Sequence, residues 1–453
     1  MVKLGLKGKL GLLLVVALIF GGISTNLAKA AVPNKIRVGL MQNGVNGTFN
    51  AQGDYLVIDG TTGQSIAVVA AGDRWETYAQ GGNQVYVAGE NGPEALDPNG
   101  EIFGMDVTGA LTKLAKNFTA KGAETSVSMA EGIQLVRNGQ YLGVFQGPVL
   151  FRELEHQADN FVAFNDIKYR GDMEIRYSGN KLTVINELPL EEYLYGVVPK
   201  EMPSSWHSEA LKAQAIAARN YAMQQKGRFA ASGFDVVPTE VCQVYGGLSA
   251  EKATTNAAVD ATKGQVMVHK GKLVEALFHS SSGGATENSE EVWSNKVDYL
   301  RTRPDSADNN ASHYNWKKSF AQVELLNQLS AKGYKLSEVT DVVVEKMTSS
   351  GARIQILQVI GKDQAGQPKT IRIYNADKVR TTFGLKSGPV AVAKTMDTAT
   401  KKLSTITFTG SGWGHGLGMS QYGANGMAKQ GNSFAQILQH YYTGIELVEN
   451  YNQ

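Results

Sequence analysis

The residues most telling for the fold run from Leu188 to Ala222: "LPLEEYLYGVVPKEMPSSWHSEALKAQAIAARNYA". Leu190, Tyr193, Leu194, Val197 and Val198 recur at i, i+3, i+4, i+7 and i+8, which is one face of a helix. Pro189 suits the first helical position. Pro199 disfavours helical backbone at Val198, so the spacing predicts a helix ending there, with Lys200 and Glu201 in a connection. A second helix is expected from Ser204 or Ser205, either of which can cap it. Leu211, Ala215, Ala218, Tyr221 and Ala222 share one face of that helix, and its many alanines allow close packing. Gln214 falls on the same side and calls for a buried partner.

Upstream of this helical pair the pattern is different. "KIRVGLM", "YLVIDG", "SIAVVAAG" and "NQVYVAG" are short apolar or alternating runs bounded by Gly or Asn. "GIQLVRNGQYLGVF" places Asn138-Gly139 between two runs, a hairpin signal, and "YRGDMEIRYSGNKLTVIN" turns at Ser178-Gly179-Asn180. Downstream, "GQVMVHKGKLVEALFHSSSGG" reads as a hairpin entering a polar loop, "ARIQILQVIG" and "KTIRIYN" as strands, and "SFAQILQHYY" as an amphipathic helix with Phe434, Ile437, Leu438 and Tyr441 inward. The expected fold class is α+β: a β-rich N-terminal region followed by a mixed α+β domain.

The chain has 453 residues, 42% hydrophobic and 19% charged, as in an ordinary globular protein of two or three domains. Residues 1–30 differ from the rest. Lys3, Lys7 and Lys9 precede an apolar run from Leu10 to Phe20, and Ala28-Lys29-Ala30 follows, the pattern of a secretory signal peptide. An uncleaved membrane anchor is the other reading, and both place the body outside the cytoplasm. Removing the four lysines of residues 1–30, which hold no acid, takes the formal charge from +2 to −2. A basic surface for nucleic acid is therefore not expected. The single cysteine, Cys242, excludes an intrachain disulfide.

Three stretches are candidates for chemistry. Glu201 stands between Pro199 and Pro203, with Glu191 and Glu192 back on the preceding helix. On the residues alone, a glutamate before a helix is more often a favourable partner for the helix dipole, which lowers its pKa. A buried carboxyl with a raised pKa would instead suit proton donation to a glycosidic oxygen. The second stretch is "GSGWGHGLGMSQYGANGMAKQG", with glycine at 410, 412, 414, 416 and 418 around Trp413 and His415. It reads either as a tight turn with a structural tryptophan or as a functional loop whose backbone approaches something closely. The third, "FHSSSGG" from Phe278 to Gly284, holds His279 beside serines. Neighbouring strand residues point to opposite faces, so His279 and Ser280 are not a dyad, and a polar groove lining is expected. The seven histidines show no zinc-site spacing.

Taken together, these blocks resemble the stage II sporulation protein D / LytB (amidase enhancer) family. The resemblance rests on "LTVINELPLEEYLYGVVPKEMPSSWHSEALKAQAIAARNYA", "CQVYGG", "FHSSSGGATENSEEVWSNKVDYLRTRPD", "GWGHGLGMSQYGANGMAKQG" and "ILQHYYTGIEL", in that order from about Tyr169 onward. With the readings above, it divides the chain into a signal peptide or anchor over 1–30, a β-rich region over 31–168 and a family-like domain over 169–453. It also implies an exported protein acting on peptidoglycan glycan strands, in partnership with a cell-wall amidase.

The sporulation members are lytic transglycosylases of peptide-stripped strands, and their catalytic acid falls in the block matching "PKEMP". That points to Glu201 as a lone acid/base, with the substrate's own hydroxyl as nucleophile. Gln214, Arg219, Tyr245, His279, Ser282, Trp413, His415 and Gln421 are the expected groove residues. Some members carry a Cys/His zinc site before the "CQVY" block. Here Val237 and Val241 stand where a cysteine and a histidine would be, so no zinc and no other cofactor is expected. The rival readings are a non-catalytic glycan-binding enhancer of an amidase and a structural protein of an engulfment or division complex.

Overall fold

The computed structural model describes residues 35–81, 131–309 and 311–449, together with the backbone of five short strands between residues 86 and 125. The N-terminal signal or anchor segment lies outside the described residues. Among the described residues, no helix is long and apolar enough to cross a membrane.

Alternation of buried and exposed positions builds the first half. Strand Lys181–Pro189 buries Leu182, Val184, Ile185 and Leu188. It sits between Lys35–Gly44 and Asp172–Ser178, antiparallel to both. Val149–Glu153, Tyr55–Asp59 and Ser65–Val68 complete this six-stranded sheet. A second six-stranded sheet runs from Gln140–Phe145 through Gly132–Arg137, Trp75–Gln80, Asn46–Gln52 and Phe161–Phe164 to Ile167–Tyr169. The two share one core, in which Phe49 stacks on Phe151 and Trp75 meets Phe151 edge-on. Strands from either side of residue 168 therefore lie in the same sheet. Both hairpins read from the sequence form: Asn138-Gly139 and Gly179-Asn180 turn with positive φ at each residue.

Helix α1, Leu190–Glu201, leaves the first sheet directly. Pro199 does not end it, contrary to the sequence expectation. The helix forgoes the bond its missing N–H would have made to the Tyr195 carbonyl and closes with Met202 N–H on the Val198 carbonyl at 2.9 Å. Val197, Val198 and Met202 are all buried, and that burial outweighs the backbone preference of a residue before proline. Helix α2, Ser208–Gln225, starts later than expected. His207, not a serine, caps it, accepting from the Glu209 N–H. Eleven of its residues, from Ala210 to Ala222, are buried on every side, so it is a central helix rather than an amphipathic one.

Two further cores form after this point in the chain. One joins Ala210, Leu211, Ile216 and Ala217 of α2 to helices Gln421–Lys429 and Phe434–Tyr441. Phe434 is only half-buried, while Ile437, Leu438 and Tyr441 face inward. The other core is separate and lies between Trp316 and Phe408. It holds two three-stranded sheets, Trp316–Ala321 with Leu403–Gly410 and Pro389–Met396, and Glu338–Met347 with Ile354–Lys362 and Pro368–Tyr374. The architecture is α+β, with the β-rich half first.

Candidate active site

Glu201 is the last residue of α1, not a connecting residue before α2. A helix C-terminus carries partial negative charge, so the dipole argument reverses and favours the neutral acid. The carboxyl is half-buried, and its Oε1 accepts one bond, from the Val244 N–H at 3.0 Å. Its pKa is raised. Burial is the main cause, the Val244 bond opposes it, and the charge of Glu240 adds to it. Next to Val244, Gln243 accepts from the Tyr193 hydroxyl at 3.3 Å and donates to the Ala218 carbonyl of α2 at 3.3 Å. Ala218 lies one turn beyond Gln214 on the same helix.

Gln214 has the buried partner its position calls for: its Oε1 accepts from Gln421 Nε2 at 3.3 Å. Gln421 begins the helix after the glycine-rich loop, capped by Ser420. Phe278-His279 pairs in parallel with Met419-Ser420, which draws the "FHSSSGG" segment to the same place. His279 donates from Nδ1 to the Leu417 carbonyl at 3.0 Å, leaving Nε2 an unprotonated, buried and unpartnered acceptor. His415 accepts at Nδ1 from the Leu417 N–H at 3.0 Å and donates from Nε2 to the Phe278 carbonyl at 3.1 Å. The two rings are 5.3 Å apart. Burial pushes both imidazoles toward the neutral form, His415 down to about 4.

The glycine-rich loop approaches the protein's own backbone closely. Gly412 has φ +84°, and a Cβ there would lie 2.5 Å from the Ser281 carbonyl oxygen. Trp413 exchanges backbone hydrogen bonds with Ser281 and remains 44% exposed.

Two expected groove residues stand apart. Arg219 is fully buried and clamped by both Glu191 oxygens, at 2.9 and 2.7 Å, and by the Gln265 carbonyl. Tyr245 is buried between Tyr169 and Tyr193 and donates to Asn186 Oδ1 at 2.9 Å. Tyr245 packs in the first core, and Arg219 ties α2 to α1 and to the Gln265 backbone. Ser282 belongs to the converging group but acts inward, donating to Asp305 Oδ2 at 2.8 Å.

Sequence reasoning missed four participants. Asp305 and Asp308, within the quoted family-like block and just after it, are buried beneath the serines. Asp308 takes Ser281 Oγ at 2.7 Å, the Gly283 N–H at 2.7 Å and Ser420 Oγ at 3.0 Å. Burial, with the neighbouring Asp308 charge, raises Asp305 to about 6 against the hydrogen bond from Ser282. Trp293, 43% exposed, lies 5.0 Å from His415 and is a second exposed indole at the loop. Arg353 reaches from the third core to the Ser282 carbonyl at 2.6 Å. The aspartate pair at i, i+3 was a visible signal, whereas Arg353 lies 71 residues from its partner and left none.

Cys242 is buried, with its sulfur 4.0 Å from Arg228 Nη1. Among the described residues no three His, Cys, Asp or Glu side chains gather as a metal cage requires.

Comparison with known proteins bears on this geometry. A family described as "Stage II sporulation protein" matches residues 178–269, which span α1 and α2, and a domain of unknown function (DUF8618) matches residues 286–418. Stage II sporulation protein D of Bacillus amyloliquefaciens is 34% identical over 280 residues, 58% of this chain and 76% of that protein. An uncharacterized protein of Brachyspira hyodysenteriae is 31% identical over 340 residues, 75% of this chain and 88% of its own length. The amidase enhancer of Bacillus subtilis is 34% identical over 291 residues, 56% of this chain, but this chain spans only 40% of that protein.

Proposed function

Since this chain belongs to the stage II sporulation protein D family, we propose that it works outside the cytoplasm on peptidoglycan, as a lytic transglycosylase of peptide-stripped glycan strands, with Glu201 as its only acid/base. The observation that carries the reading is the state of Glu201. A half-buried carboxyl at a helix C-terminus, held by one N–H and raised in pKa, has the environment a general acid needs.

In this reaction the Glu201 proton passes to the glycosidic oxygen as the C1–O bond breaks. The muramic O6 then bonds to C1, and its hydroxyl proton returns to Glu201. No water is consumed and no second carboxylate is required, which distinguishes this route from the two-carboxylate hydrolases. Trp413, 44% exposed, offers a sugar ring an aromatic face with half-buried His415 in the same loop, while Gln214, His279 and Gln421 are buried and hold that loop from within. The three-region division of the chain, with a cleaved or anchoring N-terminus, belongs to the same proposal.

The test is incubation of residues 31–453 with denuded glycan strands and mass spectrometry of the products. We expect 1,6-anhydromuramic ends from the wild type and none from Glu201→Gln. Their absence from the wild type would remove the enzyme reading. The similarity to an amidase enhancer favours one alternative, glycan binding that stimulates a cell-wall amidase. In that case added protein raises amidase activity, and Glu201→Gln does so equally.

A further inference from the structure

The third core does more than sit beside the glycine-rich loop; it supplies side chains to it. The backbone is stitched across at several points. Gly412 N–H donates to the His313 and Tyr314 carbonyls, both at 3.1 Å, and Gly414 N–H donates to the Lys386 carbonyl at 2.8 Å. Ser387 Oγ donates to the Ser411 carbonyl at 2.6 Å and accepts from Trp316 Nε1 at 2.9 Å. Lys386 and His313, from segments 73 residues apart, are thereby brought to one indole. The Lys386 ammonium lies 5.3 Å from the centre of the Trp413 ring, and the His313 ring lies 4.5 Å from it.

The hydrogen bonding of this pair fixes what it offers a ligand. Lys386 Nζ and His313 Nδ1 are 2.8 Å apart. An ammonium only donates, so Nδ1 accepts and the imidazole carries its proton on Nε2. Lys386 keeps two N–H groups and His313 one. Among the described residues no carboxylate pairs with Lys386. The arrangement is an exposed aromatic face with an uncompensated positive charge beside it. Aromatic faces take sugar rings, and a half-buried ammonium takes an anion through charge-assisted hydrogen bonds.

The geometry points to Lys386, steadied by His313, as the reader of the free lactyl carboxylate on a muramic residue stacked at Trp413. The inference rests on the glycan reading above and adds a specificity determinant to it. A stem peptide converts that carboxylate into an amide, which abolishes the charge. Lys386 then distinguishes stripped strands from peptide-bearing ones by charge rather than by steric bulk.

Binding is measured by calorimetry with the 31–453 chain in a Glu201→Gln background, so that no probe is cleaved. The first probe is a peptide-free tetrasaccharide of alternating N-acetylglucosamine and N-acetylmuramic acid. The second is the same sugar with its lactyl carboxylates converted to methylamides. We expect the carboxylate form to bind about tenfold more tightly, as loss of one charge-assisted bond implies. The difference should shrink at high ionic strength. Lys386→Met removes the preference, acting mainly on the carboxylate probe, and Lys386→Arg retains it. Trp413→Ala weakens both probes. Equal binding of the two probes, or a preference that survives Lys386→Met, overturns the inference while leaving the glycan reading in place. If neither probe binds, both the inference and the glycan reading fall.

Discussion

Arg353 and Glu287 form a fully buried ion pair, 2.7 Å from Nη1 to Oε1, that ties the third core to the segment carrying His279 and Ser282. The same guanidinium donates to the Ser282 carbonyl at 2.6 Å and the Ala285 carbonyl at 3.0 Å. Glu287 Oε1 also accepts from Ser350 Oγ at 2.7 Å. Removing one partner of such a pair strands a charge in a dry environment. Arg353→Ala should therefore cost about 3–5 kcal/mol in urea unfolding. The double variant Arg353→Met, Glu287→Leu should cost less than Arg353→Ala alone. If the two cost the same, the penalty is lost packing rather than an unpaired charge.

The elevated pKa of Glu201 links pH to stability and, under the proposed reaction, to turnover. Burial favours the neutral acid in the folded chain. Its contribution to stability is full below the unfolded carboxyl pKa and is lost as pH rises through the folded value. Glu201→Gln should therefore melt at the same temperature as wild type or higher at neutral pH, and show no glycan cleavage. Wild-type turnover should fall on the alkaline limb as the acid ionises, read as a pH–rate profile.

Asp305 gives a second pH signature. Its pKa rises from 3.8 to about 6 through burial, so the folded chain binds a proton more tightly than the unfolded chain in that interval. Stability from this group is present below pH 3.8 and is lost as pH rises through about 6. Melting temperatures of the wild type and Asp305→Asn, taken in steps across that interval, should diverge, with the wild type losing ground as pH rises. Parallel curves would exclude Asp305 as the group responsible.

The glycine-rich loop should tolerate no side chain at Gly416. Its φ is +82°, and a Cβ would lie 2.6 Å from Arg353 Cζ. Gly416→Ala combines backbone strain of about 1–3 kcal/mol with displacement of the guanidinium that holds Ser282. Gly431→Ala also has a positive φ, +92°, but nothing lies within 4 Å of the new methyl. It should cost only the backbone term, so thermal denaturation of the two variants separates strain from collision.

The β-rich first half, its two hairpins, the two helices from Leu188 to Ala222 and the family-like blocks were all legible in the sequence. Those features arise from local causes: period-2 and period-3.6 burial, and turn residues that accept positive φ. Gln214 was also legible, because a polar residue on an apolar face needs a partner, and Gln421 is that partner.

The remaining features were set by tertiary contacts. Burial of Val198 and Met202 carried α1 through Pro199, which moved Glu201 from a helix start to a helix end and reversed the sign of the dipole's effect on its acidity. Long-range pairing withdrew Arg219 to Glu191, and brought Asp305, Asp308, Arg353 and Lys386 to loops far from them in sequence. A local pattern states which face of an element is apolar. Which charge meets which partner, and in how dry a place, depends on elements tens of residues away, and it is settled only when the cores close together.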